Sequence, residues 1–272
     1  MKVRIIAAAV LLPLLLICVL ALPKVFTAVL FGLMAAVGAY EILVGTGYVK
    51  HPRLVAYSMV MAFWIAIWSH LGMPQGWGML AVLLFVTALF VEMMISHVKL
   101  RFDRIALCTV AGMLIPYLLT SLVRIHSPEG TGRYFILIPF ILAFLSDSGA
   151  YFAGKFLGKH KLAPVISPNK TVEGVVGGVL GAIVGMLIYS VLLDLAFGFT
   201  VNYGTAVLYG LLGSLGAVFG DLSFSVIKRQ TGIKDYGNLI PGHGGILDRF
   251  DSMMIVGPLA EMLLILVPLA VK

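Results

Sequence analysis

Charge is what this sequence has least of. Of 272 residues only 11% are charged, against 61% hydrophobic, and the mean hydropathy is +1.07. A soluble globular domain carries about a quarter of its residues as charges, so that class is excluded. Cysteine is nearly absent too. Cys18 and Cys108 lie in separate apolar runs, which excludes a disulfide scaffold or a thiolate metal site and leaves two small buried hydrophobes. No GxxxxGK[ST], GxSxG or HExxH occurs, so a Walker loop, a serine nucleophile elbow and a zinc-protease helix are not in play. The net charge of +7 does not point to nucleic acid, because the basic residues fall in short loops between apolar runs.

What is present is a succession of apolar segments. A crossing of the hydrocarbon core needs about 20 apolar residues. Nine such segments can be drawn: 5–22, 25–44, 54–71, 77–95, 105–123, 134–152, 172–195, 204–227 and 251–271. Lys2 and Arg4 ahead of an apolar run also fit a signal peptide. No small-residue cleavage site follows and Pro23-Lys24 leads into another apolar stretch, so the expectation is an uncleaved first span. With the N-terminus in the cytoplasm, only Lys24, Arg124, Arg133 and Lys272 of the 19 Lys/Arg residues lie on the far side. This positive-inside bias predicts an all-α polytopic membrane protein of about nine helices, with the C-terminus on the opposite side. The chain then divides at 1–130 and 131–272, a helical region and a catalytic region with two polar cytoplasmic loops, within one membrane domain.

Glu41 and Glu92 fall near the cytoplasmic ends of their spans, where each either reaches the interface or pairs with a basic residue, or else supports a polar cavity. Gly174, Gly177, Gly178, Gly181 and Gly185, and then Gly210, Gly213, Gly216 and Gly220, recur at three- and four-residue intervals. Such stripes let helices approach closely in lipid, so these two spans are expected inside the bundle.

Polarity concentrates in Phe219 to Ser252, which holds four aspartates, four Lys/Arg residues, His243 and six glycines. Asp221, Ser225 and Lys228 follow at offsets of four and seven, on one helix face, with Arg229 one step aside. Lys234 and Asp235 come next, then Pro241-Gly242-His243-Gly244-Gly245, a backbone able to turn N–H groups toward an anion. Asp248 and Asp251, three apart, are expected to share a face at the start of the ninth span. A second polar run begins at Asp147, with Ser146, Ser148 and Tyr151, and continues through Lys155, Lys159, His160 and Lys161 to Ser167 and Lys170.

Carboxylates without cysteine or an imidazole cluster suit Mg²⁺, and bases beside them suit a polyphosphate. On residues alone three functions stay open: an enzyme of phosphate-bearing substrates, an ion-coupled transporter, and a structural network of ion pairs.

The run SVIKRQTGIKDYGNLIPGHGGILDRFD, Ser225 to Asp251, resembles the signature of the phosphatidate cytidylyltransferase family, also called CDP-diacylglycerol synthases. SDSGAYFAG around Asp147 and SPNKTVEG from Ser167 resemble that family's other polar segments. The first 130 residues agree mainly as an apolar helical region. The resemblance implies a homodimeric enzyme of the inner membrane, its active site facing the cytoplasm. It would transfer the cytidylyl group of CTP to phosphatidic acid, releasing CDP-diacylglycerol and pyrophosphate. It implies Mg²⁺ on Asp221, Asp248 and Asp251, with Asp147 added here, and a monovalent cation such as K⁺ as a second metal. Lys228, Arg229 and Lys234 would bind CTP phosphates, and His243 would donate to a phosphoryl oxygen. Ser167 and Lys170 would seat a phosphate, and Ser225, Asp235, Gly244, Gly245 and Arg249 would complete the substrate site. A CTP-dependent lipid or polyprenol kinase is the nearer alternative; it would release CDP.

Overall fold

A computed structural model describes residues 2–96, 100–126, 130–242 and 244–271, with side chains from Ala9 onward. His243, assigned a catalytic role above, lies outside the described residues. The chain forms two compact units, residues 1–127 with 230–250 and residues 128–229 with 251–272.

In the first unit α1 (Lys2–Leu20) precedes α2 (Lys24–Gly45), whose last turn Glu41–Gly45 widens to a π-helix. α3 (Pro52–Leu71), α4 (Gln75–Ile95) and α5 (Phe102–His126) follow. Pro52 opens α3 where a missing N–H costs nothing, and Gly72 at φ +55° closes it. Small residues let α2 and α3 approach closely. Ala28, Ala35 and Ala39 of α2 and Ala62 and Ala66 of α3 are all buried, and a Cβ on Gly32 would sit 3.2 Å from that of Ala66. Van der Waals contact of this kind is the main attraction between helices in lipid. α4 by contrast turns Met79, Leu83 and Leu84 outward, as a lipid-facing helix does. Glu92 takes the bland alternative, its carboxylate 3.1 Å from the Arg53 guanidinium.

In the second unit α6 (Gly132–Leu157) leads through a hairpin, β1 (Lys161–Ala163) and β2 (Ser167–Thr171), to α7 (Val172–Phe197). The strands are antiparallel, Lys161 opposite Thr171 and Ala163 opposite Ser167. α7 starts where the Thr171 hydroxyl accepts the Gly174 N–H at 3.1 Å, the usual N-cap arrangement. Then come β3 (Thr200–Val201), α8 (Tyr203–Thr231), α9 (Met253–Leu266) and β4 (Ala270–Val271), which pairs with β3.

Both glycine stripes are used for close packing. A Cβ at Gly181 would meet the Leu145 carbonyl at 2.7 Å, and one at Gly213 would meet Leu142 at 2.7 Å. The opposite face of α7 is exposed at Val176, Leu180, Val184 and Ile188. The expectation of an interior helix therefore holds for the glycine side of α7 and not for the whole of it.

Among the described residues seven helices, α2 to α8, are long and apolar enough to cross a membrane, and the apolar parts of α1 and α9 are shorter. The protein is all-α and polytopic. Its last helix ends at Leu266 instead of 271, because Pro268 biases the residue before it away from helix and Ala270–Val271 is drawn into the strand pair. It also begins at Met253, so Asp248, in the single helical turn Leu247–Phe250, and Asp251, in the turn after it, do not share one helix face.

Candidate functional site

Within the second unit the polar residues gather at one end of α8. Asp221 and Ser225, one turn apart, are bonded, the Ser225 hydroxyl donating to Oδ1 at 3.1 Å. Oδ2 lies 2.6 Å from Nζ of Lys170, which β2 supplies. Both side chains are mostly covered, 29% and 23% exposed, so their attraction is screened less than at an open surface. The hairpin carrying Lys170 is fixed at three points. Thr171 caps α7, Arg229 Nε donates to the Ile166 carbonyl at 3.2 Å, and the Glu173 carboxylate binds His160 Nδ1 at 2.6 Å and the N–H groups of Lys159 and His160. His160 is thereby a loop-holding residue. Ser167 opens the same strand.

Gly220 lets Asp251 come up beside this cluster, since a Cβ there would stand 2.8 Å from the Asp251 carbonyl and 3.0 Å from Ser252 Cα. Oδ1 of Asp251 accepts the Ser252 N–H at 2.8 Å. Burial first, and then the negative charge of Asp221, push its carboxyl up to about 7; Asp147 adds to the rise and Lys228 opposes it. Asp147 is itself exposed on α6, following Ser146, whose buried hydroxyl is 2.7 Å from that of Ser214.

Like charges at close quarters in a low dielectric favour a bound cation or a proton. Among the described residues no three His, Cys, Asp or Glu side chains draw together as a ready-made cage. Mg²⁺ does not need one, since it is commonly held by one or two carboxylates, waters and substrate phosphates. Asp221 with Asp251 fits that requirement.

The first unit folds the remainder of the polar stretch into a cup. Lys234, Asp235, Asn238, Ile240, Gly242, Gly244 and Arg249 line a pocket of about 500 Å³. Two features build it. Gly242 and Gly244 take φ of +74° and +86°, which suits glycine alone, and the Ile240 N–H bonds the Gly244 carbonyl at 2.9 Å. Asp248, buried, accepts at Oδ2 the N–H groups of Tyr236 at 2.8 Å and Gly245 at 3.0 Å. Asp248 thus clasps both ends of the loop, a role its spacing from Asp251 did not suggest. A two-cation, one-carboxylate pocket with exposed backbone suits a phosphorylated ligand.

Sequence reasoning missed one contributor and left another between two roles. Asn238 lines the pocket without any pattern to mark it. Glu41 takes the second of its two alternatives, support of a polar cavity, and pairs with no base among the described residues. It is 3% exposed, and its carboxylate accepts the N–H groups of Ile246 and Leu247, both at 2.9 Å. Its signal was an acid inside an apolar run.

Comparison with known proteins agrees with this chemistry. A family model described as the cytidylyltransferase family matches residues 2–267. A Staphylococcus aureus (strain COL) protein named phosphatidate cytidylyltransferase is 41% identical over 153 residues, 56% of this chain and 57% of its own length. Proteins of the same name from Staphylococcus saprophyticus and Staphylococcus haemolyticus are 38% and 37% identical over 174 residues, 63% of this chain and 65% of the relative. The chain spans less than two thirds of the length of these relatives. A match that runs almost end to end leaves no doubt of descent: the chain belongs to the cytidylyltransferase family.

Proposed function

We propose that the protein transfers the cytidylyl group of CTP to phosphatidic acid, giving CDP-diacylglycerol and pyrophosphate. The family match over residues 2–267 carries this conclusion, and relatives bearing the name phosphatidate cytidylyltransferase support it. A phosphate oxygen of phosphatidate forms a bond to the α-phosphorus of CTP as the α–β anhydride bond breaks, and the electron pair leaves with pyrophosphate. The monoester has a second pKa of about 6, so near neutral pH it is already a dianion and no strong general base is required. What the protein must supply is position and charge.

Lys170 and Ser167 would seat a phosphate group from the β1–β2 hairpin. Lys228, Arg229 and Lys234 would hold the phosphates of CTP and the departing pyrophosphate, with Arg249, Asp235 and the glycine backbone at 244 and 245 shaping the nucleotide pocket. His243 would donate to a phosphoryl oxygen. Ser225 orients the Asp221 carboxylate. Mg²⁺ held by Asp221 and Asp251, with Asp248 and Asp147 as further acidic groups, would neutralise developing charge on the phosphoryl oxygens. The acyl chains stay in the bilayer, because withdrawing them costs about 0.8 kcal/mol per CH₂.

The charge bias supports an N-terminus and two polar loops in the cytoplasm with the C-terminus outside, the family resemblance supports the inner membrane, and nine crossings would require the shorter α1 and α9 to span as well. A homodimer and a second, monovalent cation such as K⁺ rest on the family resemblance. Purified protein in detergent, given CTP, phosphatidate and Mg²⁺, should release pyrophosphate in step with CDP-diacylglycerol, and neither without the lipid. Release of CDP would identify a lipid kinase instead, and no nucleotide turnover would leave the transporter.

A further inference from the structure

The end of α2 is built around the polar loop to a degree that a membrane helix has no need of. Three positions on one face, 38, 41 and 45, meet it in turn. Gly38 would place a Cβ 3.1 Å from Leu247 Cδ2, Glu41 takes the amides of Ile246 and Leu247, and a Cβ on Gly45 would strike the Tyr236 carbonyl. Glu41 is enclosed as well as bonded. A Cβ added to Gly237 would lie 2.7 Å from its Oε1, and one added to Gly245 would overlap the carboxylate. The segment Glu41–Gly45 is π-helical, a departure from regular helix that is frequent at functional sites.

A carboxylate buried in an apolar bundle is costly unless its oxygens are satisfied. Here each oxygen accepts one backbone N–H, and both amides lie in the short stretch of chain between Gly244 and Arg249, two residues that line the pocket together with Lys234 and Asn238. Gly245, against which Glu41 packs, is also the residue whose N–H bonds Asp248. Glu41 and Asp248 therefore grip successive peptides, 245 from one side and 246 and 247 from the other.

We infer that Glu41 is a positioning residue for the nucleotide: its carboxylate sets the backbone of 245–247, and through it the placement of Lys234 and Arg249 toward the phosphates of CTP. It acts without touching the substrate. The inference rests on the CTP reading above and adds a residue from outside the signature stretch.

The test is Glu41→Gln, which keeps size and shape but turns one acceptor into a donor facing an N–H. CTP binding is measured by calorimetry on the full-length protein in detergent with Mg²⁺, beside steady-state kinetics in both substrates. The Kd and KM for CTP should rise about ten-fold or more, since small displacements at a distance cost that much in a preorganised site. The KM for phosphatidate should stay close to wild type, and the melting temperature should fall by only a few degrees, the effect of the one N–H left facing a donor. Gly237→Ala, which presses on the same carboxylate from outside the pocket, should give the same CTP-selective loss, and it serves if Glu41→Gln does not fold. Wild-type affinity for CTP in a folded variant overturns the inference. So does an equal loss for both substrates accompanied by a lowered melting temperature, which is what a merely structural carboxylate predicts. If the wild-type protein itself neither binds nor turns over CTP, the proposed function fails and not the role of Glu41 alone.

Discussion

Replacing Asp221 by Asn is the sharpest test of the chemistry. The amide conserves volume and keeps an acceptor for the Ser225 hydroxyl, now 3.1 Å away. It removes the charge opposite Lys170 Nζ at 2.6 Å. Deleting one partner of a fully buried ion pair costs about 3–5 kcal/mol, and an exposed pair is worth at most about 1 kcal/mol. With side chains 29% and 23% exposed the loss should fall between these, about 1–2 kcal/mol, which lowers the melting temperature by only a few degrees. Activity should suffer far more. Loss of one preorganised charged group in an active site costs about 10²–10³ in kcat, and Asp221 is here asked both to orient Lys170 and to carry Mg²⁺. The assay is pyrophosphate release from CTP and phosphatidate by purified Asp221→Asn, with thermal unfolding measured on the same sample. Turnover within about three-fold of wild type, less than 1 kcal/mol of transition-state stabilisation, would refute the assignment. A fall of more than about 10 °C would show that Asp221 holds the bundle together, and the catalytic argument would lose its basis.

Three further outcomes are expected. Thr171→Ala removes the bond to the Gly174 N–H and should cost about 1 kcal/mol, with Thr171→Ser restoring it; unfolding midpoints of the three proteins check this. Asp248→Ala strands the buried N–H groups of Tyr236 and Gly245, each worth about 1–3 kcal/mol, so thermal unfolding should come clearly earlier and CTP binding should weaken with it. Asp251 holds its proton up to about 7, against an ordinary 3.8. The folded chain therefore binds that proton more tightly than the unfolded one, and the stability it lends is complete below the lower value and lost as pH rises through the upper. In chelator the melting temperature should fall between these two values; Mg²⁺ should restore it at the alkaline end, and Asp251→Asn should flatten the profile.

The helices were legible for a reason specific to lipid. With no water to satisfy a backbone N–H or C=O, an apolar run of sufficient length has little choice but helix, and each of the nine segments drawn from hydropathy contains one. Where the pattern failed it was for want of a stop signal's weight. The run 251–271 stays apolar to its end, but Pro268 closes the helix early, and the strand pairing of Val201 with Ala270 could not be read from a two-residue strand. The glycine intervals told which faces would touch, at Gly181 and Leu145 or Gly213 and Leu142, and said nothing of how much lipid the other face of α7 would meet.

The site was legible as chemistry and not as architecture. Offsets of four and seven put Asp221, Ser225 and Lys228 together because a helix enforces that spacing, and the Asp221–Ser225 bond follows from it. Lys170 comes from a separate hairpin, so no periodicity could pair it with Asp221. The limiting case is Glu41, whose amide partners lie 205 and 206 positions away. An acid within an apolar segment announces that something must satisfy it, but the sequence offers a base, a metal, the interface or a backbone as equal solutions. Only the fold decides among them, and here it chose the backbone of the loop that carries the pocket residues Gly244 and Arg249. A signature stretch accordingly records the groups that meet a substrate more faithfully than the groups that hold them still. Buried acids outside it, paired with amides instead of bases, are where the remaining determinants of such a site should be sought.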